Sequence, residues 1–263
     1  MTPLHSFATA SSPWGIKAER DTNPLVRKLQ GLASLTAADL SALEQISTQA
    51  RLFGSHTELI PENVVSEDAF VVLDGFACRY KELRSGARQI TDYLLPGDIC
   101  GSDVTAVGPL DHTVGTLSPC VVARIPRHTF RQLKQRPAIA DALHLVDRIE
   151  VSTTRTWVVN VGCRPAVERV AHLFCELLVR LEAVGLANHG LCPLPLTQVD
   201  LAQTLGLSNV HVNRTLQELR RQGLIELKGR TLRLLDKTRL QAIAEFNPAY
   251  LRPRLRIEKC VSS

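Results

Sequence analysis

The feature that most constrains this chain lies near its C-terminal end, in Thr197-Gln-Val-Asp-Leu-Ala-Gln-Thr-Leu-Gly-Leu-Ser-Asn-Val-His-Val-Asn-Arg-Thr-Leu-Gln-Glu-Leu219. It predicts two short helices joined by a tight turn at Gly206. Thr197 and Asp200 stand at capping-box spacing, which satisfies free amides at a helix start. Leu201, Ala202 and Leu205 form a small apolar face, and Gly206 supplies the backbone freedom to end the helix. Ser208 caps the second helix, where Val212, Leu216 and Leu219 recur at i, i+4 and i+7 and must face inward. The opposite face presents Val210, Asn213, Arg214 and Gln217, with Asn209 and His211 beside the exposed N-terminal turn. Amide, imidazole and guanidinium groups on one helical face suit base edges in a DNA major groove.

Two amphipathic helices and a glycine turn are common in proteins and do not alone assign a function. The adjoining C-terminal segment adds weight. Gly223 to Leu235 reads as a β-hairpin turning at Lys228-Gly229-Arg230, with Leu232 and Leu234 alternating against Thr231 and Arg233. From Arg214 to Arg239 the chain carries Arg214, Arg220, Arg221, Lys228, Arg230, Arg233, Lys237 and Arg239 against Glu218, Glu226 and Asp236, while the whole protein is only +5. Order, spacing and charge together point to double-stranded DNA as the partner. The DNA-binding residues expected are Thr197, Gln198, Ser208, Asn209, Val210, His211, Asn213, Arg214, Gln217, Lys228 and Arg230.

At 263 residues the chain exceeds the usual single-domain size, and its 44% hydrophobic content is ample for two cores. No apolar run approaches the roughly 18–20 residues that span a bilayer. Met1 to Gly15 has neither a basic n-region nor an apolar h-region, so a cytoplasmic protein with no membrane contact is expected. The seven cysteines are odd in number, scattered and free of any C-x-x-C pair, which argues for buried thiols over a disulfide framework or zinc ribbon. Whether one of them is redox-active is left open.

Residues 1–24 lack periodicity and are expected to be loosely ordered. Pro24 to Leu32 predicts a helix, as does Ser34 to Ile46, with Thr36 and Asp39 at capping-box spacing. From Arg51 to about Ile125 the texture changes to short β-branched runs broken by turn residues. These are Thr57–Ile60, Phe70–Leu73, Ala77–Lys81, Gln89–Leu95, Val114–Leu117 and Cys120–Ile125, a pattern that indicates a sandwich or jelly roll. Pro126 to Leu133 predicts a short helix, and Pro137 to about Val161 a longer one. There Ala138, Ala142, Leu145 and Ile149 recur at alternating 4-3-4 spacing, a coiled-coil seam for a dimer; a helix packed on its own barrel is the alternative. Val151 to Val159 has poor helix propensity, so helix there needs tertiary support. Gly162 and Pro165 mark a boundary. An amphipathic helix follows from Ala166 to Val184, then a loop from Gly185 to Pro195.

A β-roll, a long helix and a winged helix-turn-helix, in that order, resemble the bacterial Crp/Fnr family of transcription regulators. The local matches are Asp74-Gly75-Phe-Ala-Cys-Arg-Tyr, Gly86-Ala-Arg-Gln-Ile, Leu95-Pro-Gly-Asp98-Ile-Cys-Gly101 and the run from Thr197 through Gly223-Leu-Ile to Leu234, spanning about residues 25 to 240. The resemblance implies an α+β chain with a cyclic-nucleotide-binding-like β-roll over 25–136, a dimerisation helix over 137–162, a winged helix-turn-helix over 163–240 and a C-terminal tail over 241–263. It implies a homodimer on an inverted-repeat operator, with RNA polymerase as a further partner. An arginine of the family's recognition helix contacts a guanine, and Arg214 holds that position. Four residues earlier the family usually has a glutamate; here Val210 stands there, so a different operator is expected.

The effector is not legible. Cyclic-AMP-binding relatives carry Gly-Glu-Leu after the Pro-Gly-Asp turn and later an Arg-Ser pair for the phosphate. This chain has Gly101-Ser102-Asp103 and, approximately, His112-Thr113, a poor set for a phosphodiester anion. The oxygen-sensing relatives gather N-terminal cysteines around an iron–sulfur cluster, whereas the first cysteine here is Cys78. Neither cofactor is expected; haem is left open, with His56 and His112 read as surface residues. Gly101, Ser102, Asp103, His112 and Thr113 are the candidate effector pocket. Two other functional classes fit the residues less well. A cupin-like metalloenzyme needs a His-x-His pair, and none occurs; nor is there a nucleophile elbow or phosphate loop. A ligand-binding β-roll acting only through protein partners leaves the basic wing without a purpose. No catalytic residue and no metal site are expected.

Overall fold

The computed structural model describes residues 23–101 and 108–252. Expectations for the N-terminus before Asn23, for Ser102 and Asp103, and for the tail beyond Arg252 fall outside those residues.

Two short helices open the chain, α1 (Pro24–Gln30) and α2 (Ala37–Glu44). Asn23 caps α1, and Thr36 with Asp39 closes a reciprocal capping box on α2. Eight strands follow: β1 (Ala50–Phe53), β2 (Glu58–Ile60), β3 (Asp68–Asp74), β4 (Ala77–Glu82), β5 (Arg88–Leu94), β6 (Ile99–Cys100), β7 (Thr113–Thr116) and β8 (Cys120–Pro126). They pair into two four-stranded sheets, β1-β8-β3-β6 and β2-β7-β4-β5, with every pairing antiparallel. Ile60, Val72, Ala77, Leu94, Cys100, Val114, Cys120 and Val122 fill the space between them. Strand alternation puts every second side chain there, which is why Cys78, Tyr80 and Tyr93 face the other way.

Helix α3 (Arg127–Lys134) leads to α4 (Pro137–Cys163), which runs 27 residues through the β-branched stretch. Tertiary burial supplies what propensity lacks, since Thr153, Trp157 and Asn160 are all buried along it. The seam expected from Ala138, Ala142, Leu145 and Ile149 is turned inward. Ala142 and Leu145 are fully buried within this one chain, and Ile149 packs against the core. The face left in solvent carries Val151, Val158 and Val159 instead. Sequence periodicity finds an apolar stripe but not which of two stripes the roll will occupy.

After a turn at Arg164 and Pro165, α5 (Ala166–Ala183) returns along α4, followed by β9 (Leu191–Pro193), α6 (Gln198–Leu205), α7 (Asn209–Arg221), β10 (Ile225–Lys228), β11 (Thr231–Leu234) and α8 (Lys237–Ile243). Part of the stretch expected to be loop, 185–195, is therefore strand: β9 is the third member of the wing sheet β10-β11-β9. The tail expected from 241 is folded as far as Leu251. A 3-10 turn at Pro248–Leu251 buries Leu251, Phe246 is buried beside it, and the Tyr250 hydroxyl donates to Glu176 Oε2 at 2.7 Å. One apolar cluster holds the core of α5–α8 together with Phe76, Cys78, Tyr80, Ile90 and Tyr93 of the roll and Trp157 of α4. The chain changes direction at Pro165, yet the cores on its two sides are continuous.

Candidate nucleic-acid interface

Helix α6 begins as its sequence dictates. The Thr197 hydroxyl accepts from the Asp200 amide at 3.1 Å, and the Asp200 carboxylate accepts from the Thr197 amide at 2.8 Å. It ends at Gly206, whose φ of +61° is left-handed and whose missing Cβ would meet Val161 Cγ1 at 3.1 Å. Arg169 of α5 stabilises this turn by donating to the Leu205 carbonyl at 3.0 Å. Ser208 then caps α7 through the His211 amide.

Val212, Leu216 and Leu219 of α7 are buried, each at 2% exposure or less. On the other side Ser208, Asn209, Val210, His211, Asn213, Arg214 and Gln217 are all exposed, as are Thr197 and Gln198 at the start of α6. The two helices are tied across this face by Asn213 Nδ2 donating to Gln198 Oε1 at 3.4 Å. Val210 is 69% exposed, an apolar side chain held in water where a helix would ordinarily carry a polar one. Lys228 and Arg230, both exposed, flank Gly229 at the tip of the wing. All eleven residues expected to touch DNA are thus exposed. Among the described residues neither Arg214 nor Lys228 meets a carboxylate, whereas Arg221 is held by Glu218 at 2.7 Å and Lys237 by Glu182 at 3.1 Å. A cation without a partner keeps its full charge and its donors for a ligand.

Of the expected effector residues, Gly101, His112 and Thr113 are among the described ones. Thr113 Oγ1 accepts from the Glu62 amide at 3.0 Å, and His112 Nδ1 lies 2.7 Å from Asp111 Oδ1, so local partners occupy both. Gly101 is buried at the end of β6. None of Gly101, His112 and Thr113 lines the cavity of about 450 Å³ that opens between α1, the strands β4 and β5, α4 and α5. Sequence reasoning missed that cavity. Three of its cations are already engaged: the buried Arg79 with Asp92 at 2.7 Å and Glu150 at 2.9 Å, Lys28 with Asp98, and Arg180 with Asp98 at 2.9 Å. Burial alone would raise the Asp98 carboxyl, but Lys28 and Arg180 outweigh it and hold it down at about 2. Among the described residues no group of three or more His, Cys, Asp and Glu side chains gathers as a metal site. Burial pushes the thiols of Cys78, Cys100, Cys120, Cys175 and Cys192 up to about 12, which makes them poor nucleophiles. No described helix is long and apolar enough to cross a membrane.

Comparison with known proteins agrees with this geometry. The pattern of a Crp-like helix-turn-helix domain matches residues 168–243, and that of a cyclic nucleotide-binding domain matches residues 50–136. The nitrogen fixation regulation protein FixK of Bradyrhizobium diazoefficiens is 31% identical over 213 residues, covering 81% of this chain and 88% of FixK. The chain belongs to the Crp/Fnr family. As a Crp/Fnr protein it is a DNA-binding transcription regulator. The transcriptional activatory protein AadR of Rhodopseudomonas palustris is 29% identical over 85% of this Crp/Fnr chain and 92% of its own length. Among solved structures, FixK2 from Bradyrhizobium japonicum superposes with a TM-score of 0.65 at 26% identity, covering 74% of this chain and 96% of FixK2. The CooA mutant from Carboxydothermus hydrogenoformans shares the fold, with a TM-score of 0.58 at 18% identity over 82% of this chain and 98% of its own. The family is one of regulators rather than enzymes, and its members bind DNA as dimers.

Proposed function

We propose that this regulator binds an inverted-repeat operator as a homodimer in the cytoplasm, with one α7 in each of two successive major grooves about 34 Å apart. The observation that carries the reading is the exposed face of α7, where Arg214, which meets no carboxylate among the described residues, stands one turn beyond an exposed Val210. Arg214 donates two hydrogen bonds to O6 and N7 of a guanine, and Val210 packs on a thymine methyl. Asn209, His211, Asn213 and Gln217 complete the base contacts. Thr197, Gln198, Ser208 and the wing residues Lys228 and Arg230 meet phosphate and fix the register. The two copies join along the exposed stripe of Val151, Val158 and Val159 on α4, where Gly162 lets the helices approach. RNA polymerase is the further protein partner in this proposal.

Selection from a random DNA pool, followed by gel-shift titration across salt, tests it. An inverted repeat with a guanine in each half-site is expected, bound more weakly as salt rises because phosphate contacts release counterions. Enrichment of no sequence at any salt overturns the reading.

A further inference from the structure

Arg180, on the last turn of α5, keeps 14% of its side chain exposed and reaches out of the DNA-binding domain into the roll. Its Nη2 donates to the Tyr93 carbonyl at 2.6 Å and to Asp98 Oδ2 at 2.9 Å; its Nη1 reaches Asp92 Oδ1 at 3.4 Å and Glu176 Oε1 of its own helix at 3.3 Å. Glu176, with no exposure, also accepts from Trp157 Nε1 of α4 at 3.0 Å. Beyond this cluster, β5 touches the reading unit itself. The Tyr93 hydroxyl lies 2.5 Å from Thr204 Oγ1 of α6, and Gln89 Nε2 donates to the Thr204 carbonyl at 3.0 Å. Well-packed apolar residues often stabilise such a junction as well as buried ion pairs do, so stability alone does not call for this arrangement. What a planar guanidinium adds is direction, because its donors fit a fixed set of acceptors in one orientation.

We propose that Arg180 is a positioning residue for operator recognition: it sets the angle at which the helix-turn-helix sits on the roll, and thereby the half-site spacing that the dimer accepts. The inference rests on the dimeric inverted-repeat reading above. In a two-fold dimer a tilt at this junction moves the two copies of α7 in opposite senses along the DNA, so their separation changes by twice the shift of either one.

The test uses the full-length protein and a set of operators whose two half-sites are moved apart or together by one and two base pairs, beside a single half-site. Wild type is expected to bind one spacing about tenfold more tightly than its neighbours, and Arg180→Gln to reduce that preference to about threefold or less. Affinity for the single half-site is expected to stay unchanged, and Arg180→Lys to restore the preference only in part. If Arg180→Gln does not fold, Tyr93→Phe, which removes only the hydroxyl at Thr204, carries the same expectation in smaller measure. A spacing-selective wild type with equally selective variants overturns this inference alone, as does a uniform loss that includes the half-site. A wild type indifferent to spacing overturns the dimeric reading and this one with it.

Discussion

The proposed reading places the specificity of the surface chiefly on Arg214. Arg214→Ala is expected to cost about 1–3 kcal/mol of operator binding and to relax preference at one base pair of each half-site, as competition binding with base-substituted operators would show. Equal loss for every sequence would make it a phosphate contact. Val210→Glu puts back a hydrogen-bond acceptor, and is expected to move the preference at its base pair from thymine to cytosine in a repeated pool selection. A second residue-scale prediction concerns acid. His172 is buried on α5, its Nδ1 has no hydrogen-bond partner among the described residues, and its ring packs edge-on to Phe246. Burial, with Arg164 adding to it, lowers its pKa from 6.5 to about 4. The unfolded chain therefore binds a proton at His172 between those two values while the native chain does not. Stability present above about pH 6.5 is lost as pH falls toward 4, by about 3 kcal/mol at most. His172→Gln is expected to flatten urea-measured stability across that window. The arginine and valine were visible in the sequence because helical spacing places them; His172 was not, since a histidine four residues from an apolar neighbour reads the same whether it is buried or wet.

At the scale of elements, Thr197→Ala removes one half of the α6 capping box and is expected to cost about 1 kcal/mol in urea denaturation. Val158→Asp places charge on the exposed stripe of α4 and is expected to convert a dimer to a monomer in sedimentation equilibrium, with the helix itself retained. The capping boxes, the wing hairpin and most strands of the roll were legible because each is written in local chemistry. β9 was not: Leu191-Cys-Pro193 is strand only because β11 pairs with it from far along the chain, Cys192 opposite Leu232. The buried cluster at Arg180 was equally invisible. Its partners Asp98 and Asp92 lie 82 and 88 residues upstream, and nothing in a one-dimensional spacing brings them together.

At the scale of the whole molecule, the continuity of the core across Pro165 governs how the protein comes apart. Cys78, Tyr80 and Tyr93 of the roll share one apolar cluster with Phe174, Leu201 and Leu216 of the DNA-binding domain. Calorimetry is expected to show a single transition rather than separate melting of roll and reading unit, with a Tm that rises with protein concentration if two copies associate. Family membership and domain order were already present in the order of motifs. The relative setting of the two parts was not, because it depends on a junction made of tertiary contacts.

That junction also contains its own optical probe. The chain has two tryptophans, Trp14 and Trp157. Trp157 is 6% exposed, stands edge-on to Tyr93 with ring centroids 5.4 Å apart, and gives its indole N–H to the Glu176 carboxylate. Trp14→Phe leaves a chain whose whole indole emission comes from the point where α4, α5 and β5 meet. Its wavelength and lifetime then follow hydration of that point directly, so a change in junction setting on binding DNA can be timed in a stopped-flow instrument without attaching a dye.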